Sequence, residues 1–177
     1  MSNLYRTFTK ADVETNAHGG YKAKIYFAPV DEFDTIQYPV DNDTLGDMTT
    51  IVEDDTFLED KGYRILPAKM HSVLSKTTST GDDGAKSLVH TFEAIILGDS
   101  ASTLDTMQRM LNDELIFLLQ DQDCNTGTYV RFGDNCLTPV LTISFDGKTT
   151  KEGMKEYKID GSIKGHKVFY SGTVTTI

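Results

Sequence analysis

The sequence lacks several features that define large classes of protein. It has no tryptophan and only two cysteines among its 177 residues. Two cysteines are too few for a disulfide framework, and in a reducing compartment we expect both, Cys124 and Cys136, to be small buried apolar side chains. The longest apolar run, Leu115 to Leu119, has five residues, whereas a membrane-spanning helix needs about 18 or more. We therefore expect neither a disulfide scaffold nor a transmembrane helix.

Basic charge is also scarce. The chain carries 17 Lys and Arg side chains against 27 Asp and Glu, for a formal net charge of -10. A balance of this sign disfavours a protein that grips nucleic-acid phosphates. The first ten residues contain no apolar segment followed by a small-residue cleavage site, so we expect no export signal and folding in the cytoplasm. The length predicts a single domain spanning residues 1–177, with a real hydrophobic core.

The acidic side chains are concentrated in one segment, residues 41–60, which contains eight acids and no Lys or Arg. These acids are Asp41, Asp43, Asp47, Glu53, Asp54, Asp55, Glu59 and Asp60. Their irregular spacing is too polar for a packed helix and too charged for a central strand. We interpret residues 41–62 as an acidic excursion. Two readings stay open, a mobile surface loop or a surface that repels polyanions or meets a basic partner.

Most of the remaining chain is patterned as short strands between turn residues. Residues 63–97 predict a long hairpin whose exposed tip contains Asp82 and Asp83 within a Gly-Asp-Asp-Gly sequence. Leu115 to Leu119 could extend a preceding helix, but its uniform apolarity and the Asn112-Asp113 break favour a buried strand. Further strands are predicted at residues 21–30, 128–132, 139–145, 157–163 and 168–175.

One segment predicts a helix. It follows Gly98-Asp99-Ser100, where Ser100 or Ser102 can cap the free backbone N–H groups. Leu104, Met107 and Leu111 recur at helical spacing and are predicted to form its buried face. The side chains expected on the outer face are Asp105, Gln108, Arg109 and Asn112.

These elements predict a mainly β (α+β) fold. We expect an antiparallel β-sandwich or partly closed barrel, with one flanking α-helix and a long acidic loop.

No catalytic, cofactor or metal site is expected, and we predict that the protein is not an enzyme. Residues 81–87 have only two residues between their glycines, whereas a phosphate-binding loop needs four. Both of these residues are acids, which would repel a phosphate group. The calcium-loop-like segment that starts at Asp41 has Val52 where a bidentate Glu is required. The four histidines lie in separate segments without ligands at zinc spacing. No serine or cysteine lies in a recognisable nucleophile motif.

The segments follow one another as a strand pair, a polar excursion, one helix that leads into the apolar strand 115–119, and the hairpin from that strand to residues 128–133. This order resembles that of the tail tube proteins of long-tailed bacteriophages. The Gly-Thr-rich turn at 145–153, followed by residues 157–163, is similar to that family's penultimate hairpin. Residues 21–30 resemble the corresponding segment in tube-like proteins of phages that infect Bacteroides-type bacteria.

The resemblance implies a virion structural protein, made in the host cytoplasm and built into the viral tail. It implies a β-sandwich subunit, six subunits in each ring, and stacked rings that form a hollow tube for genome ejection. The partners would be further copies of the chain and other phage tail proteins. DNA would pass an acidic inner wall without specific binding. The acids of residues 41–60 are candidates for the lumen or for contacts between rings, and the segments 41–62 and 72–90 are candidates to reach the next ring.

Two other classes stay open at this point. A tail terminator or a head-to-tail connector protein would share the sandwich but stop at one ring. A monomeric β-sandwich binding module would instead present a cleft with clustered exposed aromatic residues. The sequence contains no tryptophan and gives no indication of such a cluster.

Overall fold

The computed structural model describes residues 20–41, 47–122, 128–147, 153–165 and 167–177. Within these ranges the chain forms twelve β-strands, one α-helix and two short 3-10 turns. The first seven strands are β1 Tyr21–Pro29, β2 Phe33–Thr35, β3 Thr50–Ile51, β4 Thr56–Phe57, β5 Arg64–Pro67, β6 Leu74–Thr80 and β7 Ser87–Leu97. Helix α1 spans Ala101–Met110, and the strands that follow are β8 Leu115–Asp121, β9 Tyr129–Phe132, β10 Val140–Asp146, β11 Glu156–Lys164 and β12 Lys167–Tyr170.

Ten of these strands form two large sheets. The six-stranded sheet has the order β3-β12-β9-β8-β1-β5, and the four-stranded sheet has the order β10-β11-β7-β6. The short strands β2 and β4 pair separately. Neighbouring strands run antiparallel in both large sheets, apart from the two-residue pairing of β12 with β3. The expected mainly β, sandwich-like α+β fold is therefore confirmed.

The main core lies between the two large sheets. The aromatic ring of Phe92 on β7 is at its centre, with ring centroids 4.8 Å from Phe117 and 5.0 Å from Phe132. Gly161 pairs with Phe92 across the four-stranded sheet. A Cβ atom at Gly161 would lie 2.2 Å from the Phe92 ring, so this position accepts only glycine while the ring keeps its place.

A second core covers the opposite face of the six-stranded sheet. On β8, Phe117 and Leu119 face the main core, while Ile116 and Leu118 pack into the second cluster with Tyr63 and other aromatic residues. Both faces of β8 are consequently buried, which explains its continuous apolar sequence. The prediction of a buried strand at 115–119 is confirmed.

Helix α1 begins where the sequence predicted. Ser100 is its N-cap, and its side-chain oxygen accepts a hydrogen bond from the backbone N–H of Thr103 at 3.1 Å. The prediction of its buried face was correct for Met107 and wrong for Leu104 and Leu111, which are 44% and 48% exposed. Each residue of a helix turns by about 100°.

The buried direction of the helix is set by Met107 and Met110. Leu111 follows Met110 by one residue and therefore turns away from the core. Leu104 lies seven residues before Leu111, so it shares the same exposed flank.

Two further expectations are corrected. The first arm of the predicted 63–97 hairpin is divided between two sheets, because β5 pairs with β1 and only β6 pairs with β7. Residues 68–73 cross between the sheets, where the backbone N–H of Lys69 donates to the carbonyl of Ile95 at 2.7 Å. Cys136 is exposed rather than buried, and Cys124 lies outside the described residues.

The helix faces give a direct test. We expect Met107→Ala to lower the free energy of unfolding by about 2–5 kcal/mol, because it empties a buried site. Leu111→Ala should change it by less than about 1 kcal/mol, since the side chain is half exposed. Urea denaturation measures both, and equal losses would contradict the assigned faces.

Candidate functional site

The four-stranded sheet ends in two long edge strands. Strands β6 and β10 have seven residues each and occupy opposite edges. In the described part of the chain, neither strand has a second neighbour. Unpaired edge strands expose backbone donors and acceptors that can pair with another chain.

The outward face of this sheet is polar and its charges are interleaved. Glu93 on β7 lies 3.3 Å from the Nζ atom of Lys76 and 3.0 Å from that of Lys158. Lys158 is also 2.9 Å from Asp160. The uncharged outward residues are seven Ser and Thr side chains and five apolar ones, which are Leu74, Val89, Ile95, Leu97 and Val140. Exposed ion pairs of this kind contribute at most about 1 kcal/mol each to stability. Because their opposite charges compensate each other, the surface carries little net charge.

The hairpin between β6 and β7 ends in an exposed tip at residues 81–86. The structure places Asp82 and Asp83 there, as the sequence predicted. The backbone N–H of Ala85 donates to the Asp82 carbonyl at 3.0 Å, and Lys86 lies 2.7 Å from Asp83. This tip is a compact turn that projects from the edge of the four-stranded sheet.

The acidic segment is not a free loop in its described part, residues 47–60. Ile51 and Phe57 pack into the second core on the outer face of the six-stranded sheet. Asp47 is half-buried and Asp55 is buried, while Asp43 lies outside the described residues. The exposed acids are Asp41, Glu53, Asp54, Glu59 and Asp60.

Asp55 is the centre of a buried polar network. The Nη1 atom of Arg131 lies 3.1 Å and 3.3 Å from its two carboxylate oxygens. The side chains of Asp55 and Arg131 are 0% and 2% exposed. The Nη2 atom of Arg131 donates to the Gln37 carbonyl at 2.7 Å, and the Gln37 N–H donates to Asp55 at 2.8 Å. This pair ties the acidic segment to strand β9.

Two tyrosines complete the network. The Tyr63 hydroxyl donates to Asp55 Oδ2 at 3.1 Å, and the backbone N–H of Asp55 donates to the Tyr170 hydroxyl at 3.0 Å. Burial raises the pKa of Tyr63 well above its usual value, and the Asp55 charge raises it further. Burial also raises the pKa of Tyr170 to about 12. Both phenols therefore stay protonated and neutral at physiological pH.

These contacts overturn the prediction for Asp55. A surface acid was expected there, but the carboxylate is enclosed and paired, so it cannot line a lumen or meet another ring. The sequence offered one signal, Arg131 within the apolar strand Tyr129–Phe132. A charged residue that alternates with buried ones needs a buried partner. Nothing local identified Asp55 among eight acids as that partner.

The acidic segment and the outward face of the four-stranded sheet lie on opposite sides of the sandwich. The segment packs against the Tyr26 and Ile116 side of the six-stranded sheet. The four-stranded sheet packs against the alternate residues, Ile25 and Phe117. One continuous wall cannot contain both surfaces of the same subunit.

The described residues also include an open cavity and two histidines. A cavity of about 510 Å³ is lined mainly by acidic and apolar side chains, including Asp31 and Glu114. Buried His90 contacts the Thr77 hydroxyl at 2.9 Å, and His71 is an exposed turn residue. Within the described ranges no three His, Cys, Asp or Glu side chains are grouped to hold a metal ion.

The one described α-helix is too short and too polar to cross a membrane.

Comparisons with protein-family models, curated proteins and solved structures found no match to this chain. The functional argument therefore rests on the geometry of the edges, the outward face and the acidic segment.

The buried pair predicts a large stability effect. Asp55→Asn preserves the shape of the side chain but leaves the Arg131 charge uncompensated, so we expect a loss of about 3–5 kcal/mol in unfolding free energy. Glu53→Gln removes a charge from the same segment at an exposed position and should cost less than about 0.5 kcal/mol. Chemical denaturation of both variants measures the difference, and a near-neutral Asp55→Asn would refute the structural role.

Proposed function

We propose that this protein is a virion structural protein that assembles into stacked rings, forming the hollow tail tube of a long-tailed phage or prophage. The observation that carries the proposal is the four-stranded antiparallel sheet with two open, seven-residue edges. The resemblance of the segment order to tail tube proteins agrees with it. The proposed location is the virion tail, after assembly in the host cytoplasm.

The even number of strands in the four-stranded sheet favours ring formation. Because four strands alternate in direction, β10 and β6 run in opposite directions. A copy related by rotation about a ring axis therefore brings its β6 antiparallel to the β10 of its neighbour. Such a head-to-tail contact closes into a ring when the rotation divides a full turn. The resemblance implies six subunits in each ring.

The outward face of the four-stranded sheet is the proposed inner wall. It combines Ser and Thr hydroxyls with self-compensating pairs such as Lys158 with Asp160. Its described strands contain four acids and three bases, which are Glu93, Asp146, Glu156, Asp160, Lys76, Lys158 and Lys164. A wall without excess positive charge gives DNA no counterion-release gain, so DNA would slide without being held.

The hairpin tip is the proposed contact between rings. Residues 81–86 extend past the paired strands and are exposed, whereas residues 47–60 are anchored by Asp55 in the second core. The exposed acids of that segment would face outward, toward solvent or other phage tail proteins.

A second candidate is a ring protein that does not stack, such as a tail terminator or a head-to-tail connector. The same edges support it, because they predict ring closure and do not require stacking. Negative-stain electron microscopy of purified protein separates tubes, single rings and monomers, and a monomer at all concentrations and salt conditions would overturn both candidates.

Cysteine cross-linking tests the edge contact. In a background with Cys124→Ser and Cys136→Ser, Thr142→Cys on β10 would be combined in turn with Lys76→Cys, Thr78→Cys or Thr80→Cys on β6. Directly opposed residues in antiparallel strands have Cβ atoms about 4.5–5.5 Å apart, which allows a disulfide after small adjustments. We expect one combination to give a ladder of covalent oligomers that ends at six on non-reducing gels.

Two controls make the cross-linking result specific. Each single cysteine variant should give dimers at most. Thr142→Cys with Ser162→Cys places the second thiol on a central strand of the same face, so it should give no ladder. A folded protein that yields no ladder with any of the three β6 positions would contradict the proposed junction.

DNA retention tests which surface lines the tube. Ser162→Lys adds a cation to the outward face of β11, and we expect assembled tubes to retain DNA at low salt. The affinity should fall with salt, with a slope of about 0.9 for each added phosphate contact. Glu59→Lys makes a larger charge change in the acidic segment and should leave retention unchanged. Greater retention by the Glu59→Lys tubes would assign the acidic segment to the lumen instead.

A further inference from the structure

Edge strand β6 has an inner face without apolar anchors. Ser75, Thr77 and Ser79 lie on the same face as their β7 partners Phe92, His90 and Leu88. Ser75 is half-buried there, whereas Thr77 and Ser79 are exposed at the margin of the sandwich. Leu74 is paired with Glu93 and shares the outward face. Apart from its backbone pairing with β7, the strand depends on polar contacts to stay docked against the sandwich.

Two of the polar contacts on this face come from basic side chains. The Nδ1 atom of His90 lies 2.9 Å from the Thr77 hydroxyl. The Nζ atom of Lys167 on β12 donates to the Ser75 hydroxyl at 3.3 Å. His90 is only 8% exposed, and Lys167 is half-buried. A histidine and a lysine therefore share the space behind β6.

The groups that face this space favour a neutral imidazole. Ile163 on β11 is the partner of His90 across the sheet. Tyr21 on β1 forms a side-chain hydrogen bond with Ser75, and burial and the negative charge of Asp121 raise the pKa of Tyr21. In the described part of the chain, no carboxylate is bonded to His90. Burial, and secondarily the Lys167 charge, lower the pKa of His90, while burial lowers the pKa of Lys167.

We propose that His90 is a proton switch for the edge strand β6. In its neutral form it holds Thr77 and keeps β6 docked. When it is protonated, a second cation lies beside Lys167, and among the described residues no carboxylate contacts either cation, so the imidazolium moves to solvent and releases Thr77. If β6 is the assembly edge, and this step rests on the proposed function, acidification removes the edge that the neighbouring copy pairs with.

The sign of the effect follows from proton linkage. A histidine whose folded-state pKa lies below its ordinary value binds protons more readily in the open state. Its contribution to docking is present above about pH 6.5, the ordinary histidine value, and is lost as the pH falls from there toward the folded-state value. The open population can rise by at most about tenfold per pH unit in that window.

Hydrogen exchange on unassembled protein tests the switch. Between about pH 7.5 and about pH 5.5, protection factors of peptides covering β6 should fall several-fold after correction for intrinsic exchange. Peptides covering β8 should keep their protection. His90→Gln, which cannot be protonated, should abolish the fall, whereas His71→Gln, an exposed histidine shortly before β6, should retain it.

A second variant keeps the test decisive if His90→Gln does not fold. Lys167→Met leaves His90 in place but removes the repelling cation, so it should make the pH-dependent loss smaller. Equal β6 protection at both pH values in the parent protein would overturn the switch. A fall that persists unchanged in His90→Gln would overturn it as well.

Measuring assembly at both pH values distinguishes failure of the switch from failure of the proposed function. Light scattering measures assembly at both pH values, because disulfide formation itself slows as thiols become protonated. Oligomers at the higher pH that dissociate at the lower pH, with a matching change in β6 exchange, would support both. Exchange that depends on pH without oligomers at either pH supports the switch and overturns the β10 to β6 junction. Oligomers at both pH values, with constant β6 exchange, overturn the switch alone.

Discussion

The burial of β8 on both faces is the constraint on which the rest of the fold depends. A strand with the sequence Leu-Ile-Phe-Leu-Leu needs two covers, because alternate side chains point in opposite directions. The four-stranded sheet and helix α1 provide one cover. The other is built from irregular chain that includes the acidic segment. A segment rich in acids can serve as a cover only if its inward positions are apolar or neutralised, as Ile51 and Asp55 are.

The ion pair of Asp55 with Arg131 is better understood as a specificity device than as a source of net stability. Desolvation of both charges offsets most of their attraction. Removing one partner, however, leaves the other buried and unpaired. Tyr63, Tyr170 and Gln37 saturate most of the remaining hydrogen-bonding capacity. The network thus selects one packing position of the acidic segment on the six-stranded sheet. If the segment were displaced along the sheet, Arg131 would lose its acidic partner Asp55.

Sequence reasoning succeeded where the signal is local. The continuous apolarity of β8, the turn between β6 and β7, and the Ser100 cap each depend on neighbouring residues. It failed where distant packing decides. Leu104, Met107 and Leu111 fit a helical stripe equally well, and only the position of the sheets selects Met107 with Met110. Likewise, Asp55 differs from its acidic neighbours only through Arg131, 76 residues away.

In the proposed ring, the composition of edge strand β6 would resolve a conflict between solubility and assembly. An apolar open edge would aggregate before it met its correct neighbour. Strand β6 instead presents Ser, Thr and Lys, and its docking depends on hydrogen bonds rather than on buried apolar area. Such an edge would pair mainly through its backbone, and the affinity of the proposed junction would come from strand alignment and from multiple contacts around a closed ring. Weak individual junctions of this kind would permit correction during assembly, while closure would make the completed ring persistent.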